Sequence, residues 1–151
     1  MKKILLLLLL ILILSACCQV SNSFTKPEDK ELKKLIGSWK LVYNEIRVND
    51  SVEVKDLSNS NFIKIINNSH FAFFNQVEGE AEGFYGGGGS YTLDGDKYIE
   101  HLDYIGQVNL RNHVFPFTIE IKGDSLIQYG LEEVKEANIK RFIIEKYLRV
   151  K

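Results

Sequence analysis

The residues of this chain that could do chemistry are few, and the densest group is Glu100-His101-Leu102-Asp103. Two carboxylates and an imidazole within four positions could serve acid–base work or hold the polar head of a ligand. Whether they cooperate depends on the element beneath them. On a strand, successive side chains face opposite ways, so Glu100 and His101 point apart, whereas His101 and Asp103 share a face and could form a hydrogen-bonded pair. An inward member would orient a ligand; an outward pair is ordinary wet surface. No metal or cofactor is expected. His70, His101 and His113 are widely spaced, and the two cysteines, Cys17 and Cys18, are side by side near the N-terminus. The glycine run Gly86–Gly89 lacks the strand–loop–helix setting and the lysine of a phosphate loop. No Ser/His/Asp arrangement or nucleophile elbow is present, so the residues point away from an enzyme. The remaining signal is aromatic. Nine phenylalanines and seven tyrosines could fill a core, or line an apolar cavity with tyrosine hydroxyls as polar handles.

Those side chains must be positioned by strands. Pro27–Gly37 reads as a short helix, with proline and acids first, lysines last and glycine after it. Leu32, Leu35 and Ile36 lie on one of its faces and would pack down onto the rest. Strands are then predicted over residues 39–48, 61–66, 70–77, 89–93, 97–105, 114–121, 125–131 and 138–150. Residues 51–60 read as loop. Glu78–Gly89, acidic and then glycine-rich, reads as a costly segment to order: a lid over an open mouth, or a disordered surface loop. Residues 114–121 alternate cleanly, with Phe115, Phe117, Ile119 and Ile121 on one face and Pro116 on the other, an edge-like or bulged position. Regular strands without helices between them fit a sandwich or an up-and-down barrel, and the short Gly/Asp turns favour an eight-stranded antiparallel barrel. Such a barrel is just filled by side chains or just able to hold one small ligand. Continuing inward from Trp39 gives Leu41, Tyr43 and Glu45. Phe71, Phe73, Tyr91 and Phe117 are further inward candidates.

The N-terminus is read apart from the fold. Met1-Lys2-Lys3 precedes an apolar run of eleven residues, Ile4–Leu14, about 16 Å as a helix and about half of a bilayer core. This suits a secretory signal over residues 1–16. Leu14-Ser15-Ala16-Cys17 resembles the lipobox of bacterial lipoproteins, which implies that Cys17 is acylated and begins the mature chain. Acyl chains would anchor the protein to a membrane. Residues 17–27 then form a lipidated tether, and 28–151 a single domain. Cys18 is not the aspartate that commonly signals inner-membrane retention, so the same resemblance implies the outer membrane. Without residues 1–16 the chain keeps 17 basic and 20 acidic residues, a net charge of −3, which gives no support for nucleic-acid binding.

Gly37-Ser38-Trp39, opening the first strand after a short helix, resembles the Gly-x-Trp signature of lipocalins. In that family an arginine near the end of the last strand packs across the tryptophan, and Arg149 is the matching position. Gly37-Ser38-Trp39-Lys40-Leu41 and the hairpin Gly89–Asp96 running into Tyr98-Ile99-Glu100-His101 also resemble lipocalin-like domains of small bacterial lipoproteins. The resemblance implies a calycin-type barrel over about residues 30–151, with Gly37, Trp39 and Arg149 closing one end. It also implies a small apolar or amphipathic ligand. Tyr43, Phe73, Tyr91 and Phe117 among the inward residues, with Glu100 and His101 from the polar cluster, are the candidates to touch it. The rival expectation is a solid barrel that acts through protein contacts. A binder requires an apolar cavity opening near Glu78–Gly89; a scaffold requires a filled interior and an exposed apolar patch.

Overall fold

Apolar–polar alternation broken by Asn, Gly and Asp at the turns produces a closed, all-antiparallel β-barrel. The computed structural model describes residues 27–151 apart from Ala81. The signal segment, Cys17 and all but the last residue of the tether lie outside the described residues. A helix, α1 (Pro27–Leu35), leads directly into β1 (Gly37–Val48). Then follow β2 (Ser51–Val54), β3 (Ser60–Ile66), β4 (His70–Val77), β5 (Phe84–Asp94) and β6 (Lys97–Ile105). The sheet ends with β7 (His113–Lys122), β8 (Ser125–Val134) and β9 (Ile139–Arg149). Neighbours from β3 to β9 pair in sequence order, and β9 returns to β1 from Trp39↔Arg149 to Arg47↔Phe142, closing eight strands. The architecture is compatible with a calycin-like barrel. Among the described residues no helix is long and apolar enough to cross a membrane.

The ninth strand comes from the stretch read as loop. Ser51–Val54 folds back on Glu45–Val48 as a hairpin arm outside the barrel. The consequence is a splayed seam. On its β3 side β1 pairs only over Gly37–Lys40, and residues 55–59 connect β2 to β3 beside that gap.

One end of the barrel is plugged. Leu35 and Trp39 have no exposure, and the Trp39 indole N–H donates to Leu35 O at 2.8 Å. The Arg149 guanidinium lies 4.1 Å above the Trp39 ring and donates to Ile36 O at 2.8 Å and to Lys34 O. Gly37 has φ +147°, and a Cβ there would lie 2.3 Å from the guanidinium. The positive φ favours glycine, and any Cβ there would push the guanidinium off its place over the ring.

Three expectations are corrected. The Glu78–Gly89 segment is not a lid: β5 begins at Phe84, and Gly86–Gly89 pair with Phe74–Phe71 on one side. The glycines serve packing. A Cβ at Gly87 would meet the Phe73 ring at 2.8 Å, and one at Gly89 would meet His101 O at 1.8 Å. Tyr43 and Glu45 do not face inward. The β1–β9 register shifts between Leu41 and Tyr43, which puts Asn44 and Ile46 on the cavity wall and turns Tyr43 and Glu45 outward. There Tyr43 donates to Glu45, Arg47 pairs with Glu45 at 2.6 Å, and Lys146 lies 4.6 Å above the Tyr43 ring. His101 is likewise outward, between the inward Glu100 and Leu102. A second register shift, at Gly88/Gly89 opposite Tyr104/Leu102, displaces Asp103. Asp103 accepts from the Ser90 N–H at 3.2 Å and from its hydroxyl at 3.5 Å.

Candidate functional site

The other end of the barrel opens onto a cavity of about 1000 Å³. Its mouth is framed by the 55–60 connection, Val77, Phe84–Gly86, Ile105–Gln107 and Leu110. Phe84 is 63% exposed there, an apolar rim at the entrance. β4 contributes Phe73 and Asn75, β6 contributes Glu100 and Leu102, and β7 contributes Phe115 and Phe117 from its cleanly alternating face. Pro116 is accommodated because the β7–β8 ladder starts only at Phe117↔Gly130.

Of the six expected ligand contacts, Phe73, Glu100 and Phe117 line the cavity. Tyr43 and His101 lie on the outer face. Tyr91 is buried near the closed end, where its hydroxyl donates to Asn67 O at 2.6 Å and its ring lies 5.1 Å from Tyr98. The other histidines stand apart. His70 is exposed beside Ser69, and His113 lies 3.6 Å from Glu136. Among the described residues no group of three His, Cys, Asp or Glu could hold a metal.

The floor of the cavity is polar. Lys64 of β3, 3% exposed, pairs with Glu100 of β6 and donates to Gln128 Oε1 of β8 at 2.7 Å. Its Nζ lies 5.3, 5.4 and 5.8 Å from the centroids of Phe71, Tyr98 and Tyr147. A buried ammonium is tolerable only when a counter-charge and further partners replace water, and here a carboxylate, an amide and three ring faces do so. Nearer the mouth, Glu132 of β8 pairs with Arg141 of β9 at 2.6 Å.

Glu145 of β9 completes the lining. Its carboxylate accepts from the Tyr147 hydroxyl at 2.6 Å. Burial raises its pKa to about 7, against the opposing pull of Lys64 and the Tyr147 hydrogen bond, with Glu132 and Glu100 adding to the rise. Tyr147 is itself held well above the usual phenol range, by burial first and then by Glu145. Phe62 of β3 lies 5.6 Å from Phe73, 6.3 Å from Tyr147 and 6.4 Å from Tyr85. The wall beside Glu145 is therefore aromatic.

Sequence reasoning missed Lys64, Gln128, Glu132, Arg141 and Glu145. Parity could have found the first, since Lys64 lies between Phe62 and Ile66 at period two. Glu145 lies two residues from Tyr147 on the same face of the last strand. The comparisons with known proteins give no family: no family model matches the chain, and no curated protein sequence matches it.

Proposed function

We propose that the protein is a lipocalin-like binding lipoprotein that holds a small amphipathic molecule inside its barrel. In this reading Cys17 carries the lipid anchor that keeps the domain at the cell envelope, at the outer membrane. The observation that carries the proposal is the cavity itself. A scaffold needs a filled interior, whereas this barrel leaves about 1000 Å³ open at one end. An apolar, aromatic wall over a polar floor is the composition of a site that takes an apolar body and orients one polar head. The reading requires no turnover and assigns none of the interior residues a catalytic role.

Native mass spectrometry of the Cys17→Ser protein, purified gently from a periplasm, tests it. The expected result is a bound mass of a few hundred daltons that is lost on denaturation. A clean unliganded mass, with no uptake from a lipid extract, would favour the protein-contact alternative. Phe73→Trp at the wall, projecting added bulk into the cavity, should reduce the bound fraction at least tenfold.

A further inference from the structure

Among the described residues, the cavity wall beyond its mouth pairs its charges except for one carboxylate. Lys64 and Glu100 neutralise each other, and so do Arg141 and Glu132. Glu145 forms no ion pair among the described residues, and its one hydrogen-bond donor is the neutral Tyr147 hydroxyl. The interior thus carries one acid in excess.

Its surroundings repeat those of Lys64. The Lys64 ammonium sits among three aromatic rings with a carboxylate against it. Two residues from Tyr147 along β9 toward the mouth, Glu145 lines the cavity beside Tyr147, whose ring packs on Phe62 as Tyr85 does. A carboxylate and aromatic rings recur there, with no lysine or arginine paired to the acid among the described residues. Asn44, directly across the ladder from Glu145, adds an amide oxygen with no donor among the described residues. Glu145 and Asn44 both offer acceptor oxygens, and ring faces attract positive charge. An anionic head would meet Lys64 and Arg141 already paired with Glu100 and Glu132, whereas a cation meets an acid without an ion pair.

We infer that the ligand is an organic cation, with a protonated amine at Glu145 among Phe62, Tyr85 and Tyr147 and an apolar body along Phe73 and Ile105 toward Phe84. This rests on the binding reading above and names the chemistry of its ligand.

Titration calorimetry of the full chain in a neutral detergent, with 4-phenylbutylamine, 4-phenylbutanol and 4-phenylbutanoate as probes, separates the two claims. The three differ only at the head. The expected order is amine at least tenfold tighter than alcohol, with the carboxylate weakest. Glu145→Gln should remove the preference for the amine and leave the alcohol unchanged. If the Gln variant does not fold, Tyr85→Leu at the exposed rim replaces it, with at least a threefold loss of the amine's advantage. An alcohol or carboxylate that binds as tightly as the amine would overturn the cation assignment and leave the binding site standing. Binding of none of the three, together with a clean unliganded mass in the native spectrum, would overturn both.

Discussion

Lys64 and Glu145 share one interior, yet their electrostatic positions are opposite. Lys64 is surrounded by groups that replace its hydration, whereas Glu145, half-buried on the cavity wall, accepts only from a phenol hydroxyl. That difference makes the stability depend on pH in a defined direction. The folded pKa of Glu145 is about 7 against 4.5 for the unconstrained group. Between these values the folded protein binds more protons than the unfolded chain, so this group's contribution falls as pH rises through the window. It is fully favourable below about 4.5 and lost above about 7, a change of no more than about 3 kcal/mol. Lys64, Glu100, Glu132, Arg141, Tyr85 and Tyr147 face the same space and set the background. Melting temperatures from pH 4.5 to 8 should therefore decline more steeply for the native chain than for Glu145→Gln. The variant should be the more stable of the two at pH 8. Parallel curves would show that Glu145 keeps an ordinary pKa.

Strands β5 and β6 owe their fit to missing side chains. At Gly89 a methyl group would lie 1.8 Å from His101 O, a backbone atom of the adjacent strand that cannot swing away. Gly89→Ala should destabilise the fold by about 3 kcal/mol or more, as overpacking against backbone does. Gly106→Ala is the control. Nothing lies within 4 Å of that position and its φ is not positive, so the change should be neutral or stabilising by up to about 1 kcal/mol. Urea denaturation of the two variants measures the contrast; equal midpoints would refute the packing role of the glycine run. These same glycines show why part of the fold was not legible in the sequence. Four consecutive glycines have one composition whether they form a loose loop or a crowded strand, and only their neighbours on the two ladders decide, the Phe73 ring and the backbone of Phe71, His101 and Tyr104. The shift after Leu41 has no residue signature either, and it carried Tyr43 and Glu45 to the wrong face. Where no bulge intervenes the alternation was sufficient: Phe115, Phe117 and Ile119 are buried and Pro116 is exposed. The cavity walls were thus partly readable from β7, while its charged floor was not. That floor joins single polar residues from β3, β6, β8 and β9, each unremarkable in its own segment.

The barrel as a whole closes along the β1–β9 ladder, and one side chain caps the end of that ladder. Arg149 covers the Trp39 ring and donates to two carbonyls at the end of α1. Arg149→Ala removes a cation–π contact and two charged hydrogen bonds and should cost about 3 kcal/mol in urea unfolding. A loss below about 0.5 kcal/mol would mean that the seam holds without it. The contact from Arg149 to Ile36 spans 113 residues of chain. Pairings between neighbouring strands can form early, because each closes a short loop, but the joining of β1 to β9 has to wait for nearly the whole domain. During synthesis, β1 therefore emerges long before the strand that completes it. A nascent chain exposes Trp39 and one unpaired edge of β1 throughout that interval. The barrel therefore cannot seal while β9 is still to come, and the chain stays open until its last strand arrives.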